Sequence, residues 1–214
     1  MSLEAIFRKH GTDKVDMHHY AQHYERHLGH FRSKRLKLLE IGVGLGQSLS
    51  AWQDYFALAE IVAVDIDPKD LPFNVWQGHQ ADVRTISALL TSHPQFDIII
   101  DDGSHRSEDV IPTLMMLWPA LAPNGVYVVE DTQTSSWPSF GGAAHSITAM
   151  EYLKRLIDGL NWEERDLPHY SPTRFDREIL GISFYHNIAF LLKGNNQEGS
   201  NLMTRNCCPW SKPV

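Results

Sequence analysis

Two apolar runs in this chain end in acids. Phe96-Asp-Ile-Ile-Ile100 leads into Asp101-Asp102-Gly103-Ser104-His105, and Val126-Tyr-Val-Val129 leads into Glu130-Asp131-Thr132. If the runs are neighbouring parallel strands, their carboxyl ends lie side by side and four carboxylates converge. Crowded like charges must be protonated or neutralised, and a divalent cation does the latter. All-oxygen ligation favours Mg²⁺, with Mn²⁺ or Ca²⁺ as alternatives. His105, three residues beyond Asp102, is placed to take a proton from a hydroxyl held beside such a cation. The plainer reading is that some of these acids cap helices and the others face water.

A second constellation follows the run Lys37-Leu-Leu-Glu-Ile41. It is Glu40-Ile-Gly42-Val-Gly44-Leu-Gly46, the pattern E-x-G-x-G-x-G. Glycines there let the backbone turn tightly and let a ligand approach the peptide plane. A dinucleotide fingerprint would need glycine at position 47, and a phosphate-binding P-loop would need Gly-Lys-Ser/Thr; Gln47 satisfies neither. The remaining pattern suits a ligand with an adenosine but no pyrophosphate, or a purely structural turn. Asp65 closes the next apolar run, Glu60 to Val64, where a carboxylate can accept from two ribose hydroxyls. Asp82 either caps a helix or accepts from an adenine amino group.

Elements must position these residues. Helical spacing predicts Leu3–His10 and Met17–Phe31, the second with Tyr20, Tyr24, Leu28 and Phe31 on one face. Further helices are expected over Gln47–Ala57, Asp82–Ser92, Glu108–Leu121 and His145–Leu160. Strands are expected at Lys37–Ile41, Glu60–Val64, Asn74–Gln77, Phe96–Ile100 and, after a Pro123-Asn124-Gly125 turn, Val126–Val129. A pair at Ile179–His186 and Ile188–Lys193 completes the set. Strands alternating with helices make an α/β fold with a mostly parallel sheet, and the final pair implies one antiparallel strand at its edge.

Composition sets outer bounds. Of 214 residues, 43% are hydrophobic, which is ordinary for a globular chain and argues against disorder. The net charge of −7 disfavours a nucleic-acid or anionic-membrane binder, although twelve His make that charge pH-sensitive. No run reaches the roughly 18 apolar residues of a membrane span, and no secretory leader is expected. The only cysteines, Cys207 and Cys208, are adjacent and fit a reducing cytosol, so a cytoplasmic enzyme is expected. His19, His23, His27 and His30 imitate a metal-binding helix face. Without an H-E-x-x-H motif they read as a solvated, partly packed surface.

The glycine loop with Asp65 and Asp82 resembles the cofactor motifs of S-adenosylmethionine-dependent methyltransferases of the Rossmann-like class. A closer resemblance is to the metal-dependent sugar O-methyltransferases of macrolide biosynthesis, of the mycinamicin and macrocin type. It is carried by Gly11-Thr-Asp-Lys14, His18, Tyr20, Tyr24-Glu25, His27-Leu28, Leu38 to Val43, Ile100 to His105 and Val129-Glu-Asp-Thr-Gln-Thr134. Likeness runs from about residue 11 to about 142, and more weakly through Ser183–Leu192.

The resemblance implies a seven-stranded sheet of order 3-2-1-4-5-7-6, with strand 7 antiparallel and helices on both faces. It implies that Asp102, Glu130 and Asp131 hold Mg²⁺ and that His105 is the base. Gly42, Gly44, Asp65 and Asp82 would hold S-adenosylmethionine, with Gln80 near the adenine and Glu40 and Asp101 on the cofactor side. Residues 1–32 would form a helical lid segment, 33–194 the catalytic domain and 195–214 a loose tail. The acceptor would be a hydroxyl of a sugar or glycosylated small molecule, met by Trp137, Pro138, Phe140, Gly141 and Gly142. Self-association is implied as well. His79 stands where such proteins often carry an acid, which weakens the adenine-side match. Rival readings are a nicotinamide dehydrogenase, a hydroxylase on the same fold and a non-catalytic cofactor-binding module.

Overall fold

In the computed structural model, which describes residues 1–142, 147–165 and 169–200, seven strands form one sheet. They are β1 Leu36–Ile41, β2 Ala59–Asp65, β3 Asn74–Gln77, β4 Phe96–Asp101, β5 Leu121–Val129, β6 Ile179–Tyr185 and β7 Ile188–Lys193. Their order is β3-β2-β1-β4-β5-β7-β6, as the resemblance implies. The first four pairings are parallel. β7 runs antiparallel to both β5 and β6. The reversed strand is therefore interior and β6 forms the edge, which corrects the expectation of an antiparallel edge strand. A two-residue connection joins β6 to β7, and so short a link can only be a hairpin.

Side chains alternate along the strands and divide the core in two. Leu38, Ile98, Ile100, Val126, Val128 and Phe190 pack on one face with helices α1 Leu3–His10, α2 Asp13–Asp16, α3 Ala21–Leu28 and α4 Gln47–Tyr55. Leu39, Ile41, Ile99, Tyr127, Val129 and Leu191 pack on the other face, with α5 Val83–Ser92, α6 Ser107–Leu117 and α7 Ala149–Asp158. A short α8, Arg174–Glu178, leads into β6. The N-terminal helices belong to the first core: Leu3, Phe7, Tyr20, Tyr24 and Leu28 are wholly buried. Burying side chains of this size contributes about 1.5–3 kcal/mol each, so this segment is firmly seated.

Some boundaries depart from the sequence reading. The helix expected over Met17–Phe31 starts only at Ala21, and its last turn, Gly29–Phe31, is a 3-10 helix. His19 has φ 57°, which breaks the path, while the Tyr20 hydroxyl is tied to Asp131 and Asn187. Tertiary bonds override helical spacing here. The Pro123-Asn124-Gly125 turn sits inside β5 as an irregularity: Leu121 pairs with Phe96, and Val126 with Ile98. α6 ends at Leu117, and a 3-10 turn containing Pro119 finishes that segment. α7 starts at Ala149, capped by the Thr148 hydroxyl; His145, its expected first residue, lies outside the described residues. At the tail, Asn196 is bonded to Arg177, Leu160 and Asp176, while Cys207 and Cys208 lie outside the described residues. Among the described residues no helix is long and apolar enough to cross a membrane.

Candidate active site

The glycine loop joins β1 to α4 at the carboxyl end of the sheet. Gly42 has φ 84°, and a Cβ there would stand 2.1 Å from the Asp102 carbonyl oxygen. The loop can lie against the end of β4 only because this residue has no side chain. Gly44, at φ 53°, faces open space, with nothing within 4 Å of a Cβ. One residue is thus needed by the fold, while the other leaves backbone accessible to a ligand.

Two adjoining cavities share Gly42, Asp65 and Gly103. The smaller, about 180 Å³, is lined by Ile41, Val64, Ile66, Gly78, His79 and Gln80, among others, and suits a flat, mostly apolar ring. The larger, about 580 Å³, runs past Gly44 and Gln47 to Lys14, Asp102, His105 and Asp131. Asp65 stands between them. Its oxygens accept from the Val43 and Asp67 amides at 2.7 and 2.8 Å. A carboxylate has about four acceptor positions, so capacity remains for a diol.

The other expected cofactor-side residues divide. Gln80 lines the small cavity and ties its floor together, donating to Asp101 at 3.0 Å and accepting from the Ser104 amide at 2.7 Å. Asp101 lies behind Gln80 and lines neither cavity; burial pushes its carboxyl up to about 7. Asp101 therefore does not join the acids beyond β5. The side-chain alternation of β4 turns it toward Gln80 and Tyr127, so three of the four expected carboxylates converge. Asp82 spends its oxygens on capping α5, accepting from the Arg84 amide and the Thr85 hydroxyl, and it also lines neither cavity. Glu40 is wholly buried on the α1–α4 face, and neither of its oxygens has a full hydrogen bond. Burial pushes it up to about 8, with Lys14, Ser48 and Trp52 pulling it back only in part.

Beyond β4 and β5, Asp102, His105 and Asp131 each bring a ligand-capable atom within 4.8 Å of the others. His105 Nε2 is 3.9 Å from Asp102 Oδ1 and 3.7 Å from Asp131 Oδ2. Glu130 is more deeply buried: its Oε1 accepts from Lys14 Nζ at 2.7 Å and from the Tyr24 hydroxyl. Tyr20 donates to Asp131 Oδ1 at 2.7 Å, and His18 Nδ1 lies 3.3 Å from the same oxygen. Phe140 and Trp137 lie beside this group, with the Phe140 ring 6.4 Å from that of His105.

The sequence shows Tyr20 and Tyr24 as one face of a helix and Lys14 only within the resemblance, and beyond a place in the lid segment it gives none of the three a role at the acids. Nothing local marks Lys14: it lies in a four-residue helix and meets acids 88 and 116 positions away. The His-rich helix face is aromatic packing. His23 stacks on Tyr185 and His27 on Phe190, at 3.9 and 4.3 Å. Among the described residues the cluster of Asp102, His105 and Asp131 is the one group able to hold a metal ion.

This sheet order and its loop-lined cavities define the Rossmann-like methyltransferase fold, and residues 39–132 match the family model described as a methyltransferase domain. The chain is similar to sugar O-methyltransferases of natural-product biosynthesis. It is 38% identical over 199 residues to mycinamicin VI 2''-O-methyltransferase of Micromonospora griseorubida, covering 86% of this chain and 50% of that protein. It is 36% identical over 201 residues to demethylmacrocin O-methyltransferase of Streptomyces fradiae, with the same coverage. A solved structure of MycE methyltransferase, in complex with Mg, SAH and mycinamycin VI, superposes with a TM-score of 0.86 at 37% identity. That match covers 93% of this chain and 55% of that one. The chain spans about half the length of the relatives it matches.

Proposed function

We propose that this chain is an S-adenosylmethionine-dependent O-methyltransferase acting on a hydroxyl of a sugar or glycosylated small-molecule natural product, with Mg²⁺ at its acidic cluster. The observation that carries the reading is His105 Nε2 lying within 4 Å of two carboxylates at the far end of a glycine-loop cavity. The names of the relatives support the reaction and the acceptor class, and the MycE complex supports both cofactors.

The residues fit the groups. The small cavity suits an adenine ring and Asp65 a ribose diol, whereas Glu40 lines neither cavity. Asp102 and Asp131, with Glu130 beside them, would hold Mg²⁺, and Mn²⁺ or Ca²⁺ suits the same oxygens. When bound, the cation lowers the pKa of an acceptor hydroxyl and the sulfonium cofactor supplies an activated methyl group. His105 takes the hydroxyl proton at Nε2, and the neighbouring carboxylates offset the charge the ring then gains. Tyr20 and His18 keep Asp131 turned toward His105. Residues 1–32 act as the cover of the cavity, since Gly11, Thr12, Asp13, Lys14 and Met17 line it. Trp137 and Phe140 offer aromatic faces to a sugar or polyketide ring.

Calorimetric titration with S-adenosylhomocysteine, with and without Mg²⁺, tests the cofactor; saturable one-to-one binding is expected. Methyl transfer to a panel of glycosylated acceptors tests the reaction. Absence of nucleoside binding in both conditions would return the glycine loop to a structural turn. Size-exclusion chromatography tests the self-association that the resemblance implies.

A further inference from the structure

Lys14 is 1% exposed, and its ammonium sits between the ends of two strands. Nζ lies 2.6 Å from Asp102 Oδ2 and 2.7 Å from Glu130 Oε1. A buried ammonium is tolerated only where carboxylates pair with it, and both contacts here are within ion-pair distance. The two Asp102 oxygens are divided: Oδ2 faces Lys14, and Oδ1 is the oxygen nearer His105. Asp131 depends instead on Tyr20 and His18. One carboxylate thus serves a permanent cation through one oxygen and leaves the other for the open cavity.

We propose that Lys14 is a resident counter-cation of the acidic cluster. It keeps Asp102 and Glu130 together in the metal-free protein, and its fixed charge weakens the hold on a divalent ion, so that the ion exchanges. This rests on the metal reading above. It differs from a packing role in a measurable way. A lysine that only fills space would change stability equally with and without metal, whereas a counter-cation changes metal affinity in the opposite direction to stability.

The test compares the wild type with Lys14→Met, a near-isosteric uncharged variant, using MgCl₂ alone as the titrant. Calorimetry gives the affinity, and thermal melts in chelator and in Mg²⁺ give the coupling. Lys14→Met is expected to melt lower in chelator and to bind Mg²⁺ at least about tenfold tighter, because a positive charge a few ångströms away is gone. At equal Mg²⁺ it then gains more in melting temperature than the wild type does. Lys14→Met/Glu130→Gln removes the pair together and is expected to regain most of the midpoint lost in chelator. A Lys14→Met variant that folds only with Mg²⁺ supports the proposal in its limiting form. Equal or weaker Mg²⁺ affinity in Lys14→Met overturns it, as does a double variant no more stable than the single one. A wild type that binds no Mg²⁺ refutes the metal reading instead. The chelator melts then still decide whether Lys14 neutralises the two acids.

Discussion

His105 and Asp131 lie on different strand–helix connections, yet both hold left-handed backbone, at φ 57° and 51°. One side chain links them: Thr134 Oγ1 is 2.8 Å from the His105 carbonyl oxygen and 2.7 Å from that of Asp131. Left-handed conformation in non-glycine residues costs on the order of 1–3 kcal/mol and persists only where the surroundings enforce it. A single hydroxyl proton shared between two carbonyls supplies part of that enforcement. Thr134→Val, which keeps the shape and removes the donor, should cut turnover by roughly 10–100-fold through misplacement of the base. KM for the nucleoside cofactor should stay nearly constant, and Thr134→Ser should restore most of the rate. Steady-state kinetics of the three proteins decide it; equal turnover in all would separate the backbone strain from catalysis.

The base itself gives a larger effect. His105→Ala should leave S-adenosylhomocysteine binding nearly intact, because His105 lies in the large cavity away from the adenine-sized slot. Turnover should fall by roughly 10²–10⁴, the usual range for a general base. Calorimetry and single-turnover methyl transfer measured on the same preparation would show the split. Undiminished turnover would remove His105 from the mechanism.

Metal dependence follows from the same cluster. Saturating chelator should abolish methyl transfer, and Mg²⁺ should restore it. Asp131→Asn should weaken Mg²⁺ binding by at least about tenfold, since it removes one of the two carboxylates nearest His105. Activity that survives chelation would show that the acids serve only to hold Lys14, Tyr20 and Tyr24 in place.

The parts of this site that could be read from the sequence are those made of short contiguous motifs at strand ends. Asp65, the glycine loop, the Asp102-Gly-Ser-His105 run and Glu130-Asp131 all fall where a parallel sheet places functional residues. Asp101 and Asp82 show the limit of that reasoning. Each has the right position along the chain, but strand alternation turns Asp101 inward and the start of α5 occupies Asp82. Lys14 and Thr134 stand in the motifs that carry the resemblance, but their roles are not legible, for another reason. Their partners are set by tertiary packing, and no spacing rule connects residue 14 to residues 102 and 130. The break before α3 likewise depends on Tyr20 being held by Asp131, a bond between residues 111 positions apart.

The two loop glycines predict contrasting variants. Gly42→Ala would put a Cβ 2.1 Å from the Asp102 carbonyl oxygen, so either the loop or the end of β4 must move. Backbone cannot yield as a side-chain tip can, and a loss of at least about 3 kcal/mol is expected, the scale of a strained, overpacked site. Gly44→Ala meets nothing within 4 Å and carries only the strain of its positive φ, about 1 kcal/mol. Its cost should appear instead in affinity for S-adenosylhomocysteine, because the new methyl group narrows the large cavity. Denaturant melts and calorimetry together separate the two, and a Gly42→Ala protein as stable as the wild type would contradict the close approach.

His23 and His27 of α3, with His30 in the 3-10 turn that follows it, weaken the fold on the acid side. Burial, and then the Arg26 charge, hold His23 and His27 below their ordinary value of 6.5; burial, and then Lys34, do the same for His30. Groups of this kind bind protons more readily in the unfolded chain than in the folded one. Their contribution is therefore fully present above about pH 6.5 and is lost as the pH falls below it. His27 is the clearest case, since its ring stacks on Phe190 and its Nε2 lies 3.0 Å from the Tyr185 hydroxyl. Glu40 and Asp101, pushed up to about 8 and about 7, take up protons in the folded protein over the same range and act the other way. The histidine part is therefore read as a difference: between pH 7.5 and 5.5 the melting temperature of His27→Phe should fall less, or rise more, than that of the wild type, even if its midpoint at pH 7.5 is lower. Because α3 also carries Tyr24, which donates to Glu130, the same acid range should loosen the acidic cluster. Mg²⁺ affinity measured across that range should weaken less in His27→Phe than in the wild type. Parallel slopes in the two proteins would exclude His27 as a source of the acid sensitivity.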